Sequence, residues 1–243
     1  MRYCIIVPNY NHTHNLKELL LKLSEYNLPI VMIDDGSESS AKNVFESVLD
    51  VVPDLKLIHH QQNQGKGGAV QTGLMYAHQQ GFDFGIQVDA DGQHNISDIE
   101  QLIALSKKYP KALISGKPVY DESIPKHRYF ARFITHFWVY IETLSFSLKD
   151  SMCGFRVYPV ADSVKLMKKV NLGKRMDFDT EIMVRLYWQG LEVKFLPTKV
   201  IYPEHGVSHF KALEDNVLIS WMHTRLFFGM FLRAPRLVKR KFL

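Results

Sequence analysis

Two aspartates one residue apart, Asp89 and Asp91, end a short apolar run over residues 84–88 and are followed by Gly92. In an extended chain, residues i and i+2 point to the same side, so both carboxylates can converge on one object. Like charges that close raise each other's pKa unless a cation lies between them. A hard divalent cation, Mg2+ or Mn2+, takes oxygen ligands of this kind and bridges them to substrate phosphates. Aspartate and glycine are also ordinary turn residues. On residues 86–94 alone, a metal site and a solvated turn both stand.

Three more polar clusters sit at comparable places: Pro8, Asn9, Tyr10 and Asn11; Asp34, Asp35, Gly36 and Ser37; and Asn63 to Ala69. Two of them directly close β-branched or apolar runs, at residues 3–7 and 30–33, and the third follows the run at 55–58. Between the runs lie helical stretches at 15–26, with Leu16, Leu19, Leu20 and Leu23 in register, at 41–51, and from the glycine cluster to about residue 80. Strands alternating with helices predict right-handed crossovers and a mostly parallel, open α/β sheet flanked by helices. Ligands bind such sheets outside the carboxyl ends of the strands. All four clusters fall there, so they line one rim and make one site.

The type of ligand follows partly from what is missing. A dinucleotide site needs G-x-G-x-x-G after the first strand, where this chain has Pro8 to Asn11. Gly65, Lys66, Gly67 and Gly68 lack the P-loop spacing. They still form a glycine-rich turn at a helix start with a lysine, which suits a phosphate or diphosphate, or else lets strand and helix pack closely.

These four clusters occur in the order and spacing of family 2 glycosyltransferases, and the chain resembles the branch containing dolichol-phosphate mannosyltransferase-like enzymes over roughly residues 3–210. The resemblance implies a GT-A fold that binds a nucleotide-diphospho-sugar, a UDP- or GDP-sugar. It assigns base and ribose contacts to Pro8, Tyr10, Asn11, Asp34 and Asp35, and diphosphate contacts to Gly65, Lys66 and Gly67. It gives Asp89 and Asp91 the metal, with Gln93 a further ligand and Ala90 beside the donor. Ser115, Gly116 and Lys117 resemble the segment that supplies a basic residue to the phosphates. Asp150 to Tyr158 looks like the family's D-x-x-S/C-G-F-R segment, which carries Arg156. Met176 to Glu181 resembles the acidic helix start whose aspartate is the general base. Phe178 replaces the first acid of that pattern, so Asp179 matches the base, with Glu181 just behind it. An inverting transfer needs such a carboxylate beside an attacking hydroxyl, and a cation against the leaving diphosphate. A lipid phosphate acceptor is already anionic and needs no base.

Relatives that use polyprenyl phosphate show an arginine and a lysine around residues 203–209. Here Pro203 or Glu204 stands at the first position and His209 at the second, a departure that leaves the acceptor lipid-linked or lipid-like without naming it. His205 and His209 are candidates for metal or diphosphate contact. Residues 206–225 also look, more loosely, like bacterial members found beside lipid and aryl-polyene biosynthesis enzymes.

Charge is unevenly placed. The net +5 comes from a stretch after Asp215 that has six basic and no acidic residues, so the first 215 residues carry 24 basic against 25 acidic. A neutral body excludes a nucleic-acid-binding surface as the main function. A basic, aromatic-rich tail points instead to an anionic membrane surface. Residues 129–148 and 217–232 are aromatic and apolar but too interrupted to span a bilayer. The expected division is a glycosyltransferase domain over 1–210 and an amphipathic, basic helical extension over 211–243. The expected location is cytoplasmic, peripheral to the inner face of the plasma membrane. The N-terminus enters a strand with no signal peptide, and Cys4 and Cys153 read as reduced core residues. A sugar nucleotidyltransferase would need G-x-G-x-R after the first strand. A non-catalytic sugar-nucleotide-binding protein would not need Asp89, Asp91 and Asp179 all present.

Overall fold

Tyr3–Asn9 forms β1, buried along its length as expected of a central strand with both faces covered. The computed structural model describes residues 1–52, 54–119, 126–200 and 211–240, and of 126–131 the backbone alone. Around β1 lie β2 (Ile30–Asp34), β3 (Leu55–His59), β4 (Phe84–Gln87), β5 (Ala112–Val119), β6 (Arg156–Pro159) and β7 (Glu192–Lys199). They make one sheet in the order β3-β2-β1-β4-β6-β5-β7. β6 runs antiparallel to both β4 and β5, and every other pairing is parallel.

Alternating residues of β1 divide the core in two. Cys4 and Ile6 face a cluster made with α3 (Lys66–Gln79), α6 (Val160–Met167) and α7 (Phe178–Trp188). Tyr3, Ile5 and Val7 face the other, made with α1 (Leu16–Ser24), α2 (Ser39–Leu49) and α4 (Ile99–Lys108). The four leucines predicted to lie on one stripe of α1 are its buried residues. At about 1.5–3 kcal/mol for each fully buried leucine, that stripe decides how α1 docks. α5 (Lys126–Thr143) and α8 (Ala212–Phe231) pack together outside the first cluster, to which Val139, Met222, Leu226 and Met230 belong. α9 (Ala234–Lys239) adds Leu237.

One boundary differs from the sequence reading. β4 stops at Gln87, which leaves Asp89 in the turn beyond it. Residues 192–199 form the single strand β7, laid parallel to β5; Val200 then bridges to His94. β5 and β6 carry no period-2 polar alternation, since both are largely buried. Cys4 and Cys153 are free and buried, and burial pushes both thiols up to about 12.

Candidate active site

The parallel register brings Asn9, Asp34 and His59 side by side at one edge of the sheet. The backbone continues this staircase, with Asp35 N–H donating to Asn9 O at 2.8 Å and His60 N–H donating to Asp34 O at 2.8 Å. The loop after β1 is tied to the loop after β2: Asn11 N–H donates to Ser37 Oγ, and Glu38 N–H donates to Asn11 Oδ1, each at 2.9 Å. Pro8 is paired inside β1 opposite Ile33, and Tyr10 is half-buried next to it.

Asp34 and Asp35 are buried and engaged with protein. Asp34 accepts from Ser37 N–H at 2.8 Å and pairs with His59 Nδ1 at 2.7 Å. Burial pushes the Asp34 carboxyl up, but the Ser37 and His59 hydrogen bonds outweigh it and hold it below the usual carboxylate range. Asp35 Oδ1 accepts from Gln64 N–H at 2.9 Å and meets His60 Nδ1 at 2.7 Å, and Oδ2 accepts from Gly65 N–H at 2.7 Å. Asp35 thus holds the glycine turn in place. Gly65 itself has φ +92°, and a Cβ there would lie 2.5 Å from Lys174 O, so the turn requires glycine.

That turn launches α3 with Lys66 as its first residue. The Lys66 ammonium lies 2.7 Å from Asp89 Oδ2 and 3.2 Å from Asp179 Oδ2. Burial alone would lower its pKa; Asp179 and Asp89 outweigh burial and push it above the ordinary lysine value. Burial likewise pushes Asp89 up, and the Lys66 charge with the His94 hydrogen bond pulls it well below the carboxylate range. Asp89 also accepts from Gln87 Nε2 at 3.0 Å, and Gln87 Oε1 in turn accepts from Tyr158 Oη at 3.1 Å. Gly154 closes the back of this corner: a Cβ there would lie 2.5 Å from Lys66 Nζ and 2.7 Å from Asp89 Oδ2. Asp91 faces the same charge, and its Oδ1 accepts from Gln93 N–H at 3.1 Å. Ala90 is buried between them.

Asp179 lies in the first turn of α7 and is 6% exposed. Its Oδ1 is buried with no hydrogen-bond partner among the described residues, and the Arg156 guanidinium lies 3.9 Å from it. Arg156, fully buried on β6, donates to Asp179 O at 2.6 Å and to Ser151 O at 2.7 Å, so it anchors the start of α7 from beneath. Glu181 does not join this corner. Gly173 N–H donates to its Oε2 at 2.8 Å, Arg185 Nε to its Oε1 at 2.8 Å and Arg225 to Oε2 at 3.2 Å, which makes it the tie between α7 and α8. Lys117 is exposed on β5. Its charge acts on His136, whose Nε2 lies 3.7 Å from Asp150, the carboxylate that Arg132 grips at 2.8 and 3.0 Å. His205 and His209 lie outside the described residues.

Gln87, His94 and Gly154 also belong to the corner; they lie within the stretches singled out in the sequence but were not among the candidate site residues. Gln87 had a signal: it is the polar residue of an apolar strand and shares a face with Asp89, two residues on. His94, 3.3 Å from Asp89 and stacked on Phe155 at 5.0 Å, had none that a lone histidine does not have. A metal fits the chemistry of the corner, where hard oxygen donors converge on one positive charge and Asp179 Oδ1 accepts no hydrogen bond among the described residues. Among the described residues no three of His, Cys, Asp and Glu are already arranged around one ion.

The UDP-N-acetylglucosamine–dolichyl-phosphate N-acetylglucosaminyltransferase of Methanococcus voltae is 24% identical over 233 residues, 89% of this chain and 91% of that protein. A dolichyl-phosphate beta-glucosyltransferase of Trichomonas vaginalis is 29% identical over 199 residues, 74% of this chain; the match spans 59% of its length. Among solved structures, glucosyl-3-phosphoglycerate synthase of Mycobacterium tuberculosis aligns with a TM-score of 0.65 at 12% identity, over 96% of this chain and 79% of that one. A mannosyltransferase of Pyrobaculum calidifontis, solved with GDP-Man and Mn2+, aligns with a TM-score of 0.59 at 16% identity, over 98% and 73%. The fold is therefore GT-A, a mostly parallel mixed sheet between helices. The profile of glycosyl transferase family 2 matches residues 4–170, and the chain, a glycosyltransferase, belongs to that family.

Proposed function

We propose that this enzyme moves a sugar, with inversion, from a UDP- or GDP-sugar to a phosphorylated polyprenol-type lipid at a membrane surface. The observation that carries the reading is the corner at the strand ends, where Lys66 stands between Asp89 and Asp179 beside a glycine turn that opens a helix. Amides at a helix start and a lysine together favour a diphosphate. Asp89 and Asp91, with Gln93, would hold Mg2+ or Mn2+, which when bound neutralises charge on the departing nucleoside diphosphate. Pro8, Tyr10 and Asn11 shape the nucleoside end of the rim, and Asp35 acts through the glycine turn it braces. Lys117, near His136, offers positive charge to an incoming acceptor phosphate. Dolichyl phosphate appears in the names of the M. voltae and T. vaginalis relatives, which supports an acceptor of that class.

A second reading has one observation in its favour: Asp179 Oδ1 is buried and accepts no hydrogen bond among the described residues, as a general base awaiting a hydroxyl would. In that case the acceptor is an alcohol and not a phosphate. Membrane docking rests on the exposed aromatics of α5 and α8, Phe133 at 67%, Phe137 at 54%, Trp221 at 59% and Phe228 at 65%, beside the basic α9. Among the described residues no helix is long and apolar enough to cross a membrane.

The direct test follows nucleotide release from UDP- and GDP-sugars in the presence of polyprenyl phosphate. Turnover is expected to require Mg2+ or Mn2+ and to fall by about 10²-fold or more in Asp91→Asn. Full turnover in chelator would sink the metal-dependent reading.

A further inference from the structure

Lys66 does more than extend from the glycine turn. It joins two carboxylates that arrive from separate elements, Asp89 from the turn after β4 and Asp179 from the first turn of α7. Asp91 acts on the same charge. Three carboxylates thus gather at one corner, yet no three acidic or histidine side chains among the described residues are arranged to hold an ion. Lys66 stands between Asp89 and Asp179, whose like charges would otherwise repel. Gly154 leaves room for this arrangement and no more, since a Cβ there would reach Lys66 Nζ at 2.5 Å.

We propose that Lys66 is a resident counter-ion, whose ammonium occupies the carboxylate corner in the free enzyme and passes to the donor diphosphate on binding, freeing Asp89 for the divalent cation. The lysine stem has the rotatable bonds for such a move, and its root at the start of α3 lies beside the amides that favour an anion. The corner therefore stays neutralised in both states. Divalent cation binding is weak without nucleotide and strong with it, so metal and donor enter as partners. This inference rests on the reading of the site as one for metal and nucleoside diphosphate.

The test is Mn2+ binding without nucleotide, measured by electron paramagnetic resonance, for wild type, Lys66→Met, Lys66→Gln and Lys66→Arg. The two neutral variants are expected to bind Mn2+ about tenfold tighter than wild type, a coupling in the usual range between linked sites. Lys66→Arg, which keeps the charge, is expected to stay near wild type. In the wild-type protein, where folding is not in question, metal-free UDP or GDP is expected to shift the 13C ε-methylene resonance of Lys66. Folded neutral variants that bind Mn2+ no tighter than wild type, or an unmoved Lys66 resonance at saturating nucleotide, overturn the proposal. Absence of Mn2+ binding in every variant, with UDP and GDP each present, overturns the metal reading itself and this inference with it.

Discussion

Asp179 and Glu181 lie two residues apart in one helical turn, yet their surroundings assign them different work. Asp179 keeps one carboxylate oxygen free of hydrogen bonds among the described residues, while both oxygens of Glu181 are held by Gly173, Arg185 and Arg225. Removing the charge of a buried, fully paired group leaves its cations stranded, at roughly 3–5 kcal/mol. Glu181→Gln is therefore expected to lower the unfolding midpoint markedly. Asp179→Asn also removes a buried charge, but Lys66 keeps Asp89, so a smaller drop in that midpoint is expected. Turnover by Asp179→Asn then separates the two acceptor classes: a loss of about 10²–10⁴-fold marks a general base, and near-full turnover marks a phosphate acceptor. A Glu181→Gln protein with wild-type stability but no turnover would reverse the roles of the two carboxylates.

Between elements, the ends of β2 and β3 are pinned by Asp34 and His59. Burial lowers the His59 pKa, but the Asp34 and Glu46 hydrogen bonds outweigh it and raise it above the usual imidazole value. The folded state thus holds the His59 proton more tightly than the unfolded chain. Its contribution is complete below the unfolded imidazole pKa and is lost as pH rises through the raised folded value. Asp34, with a lowered pKa, contributes above the unfolded carboxyl pKa and loses that contribution as pH falls through its folded value. Because the His59 side chain is 36% exposed, solvent screens the pair and the effect is small, under about 1 kcal/mol. Denaturant titrations should show wild type losing stability relative to His59→Gln as pH rises from about 6 to about 8.5. Parallel pH profiles for the two proteins would mean that the pair carries no linked charge.

At the scale of the molecule, α8 serves the core and the surface at once. Met222, Leu226 and Met230 are buried in the cluster that holds α7, while Trp221, Phe228 and Phe231 are exposed. Truncating the tail would remove the core residues Leu226, Met230 and Leu237. Trp221→Ser with Phe228→Ser touches only the outer side. Those two changes are expected to weaken sedimentation with anionic phospholipid vesicles by about tenfold or more, with residual binding sensitive to salt. Turnover with a short-chain, water-soluble acceptor should be preserved. Undiminished vesicle binding by the double variant would argue that the aromatic face meets something other than lipid.

The alternation of apolar runs and amphipathic helices was legible from residue order, and with it the α/β class, the first four strands and the rim where Asp34, Lys66 and Asp89 gather. Those features rest on local physics: burial pattern along a strand, leucine spacing along α1, a glycine turn at a helix start. β5 and β6 were not legible as strands, because Ser115, Gly116 and Pro118 break the apolar run of β5, and four-residue β6 begins with Arg156 and is placed by its antiparallel neighbours. The same limit applies to partners. Nothing near Asp35 in the chain indicates that its oxygens brace Gln64 and Gly65, thirty residues away, or that Glu181 is claimed by Arg225 on another helix. Residue types and their order determined that carboxylates, a lysine and a glycine turn would meet at one edge of the sheet. Only the tertiary structure decided that Lys66 stands between Asp89 and Asp179, because which charges pair depends on distances set by packing across the whole chain.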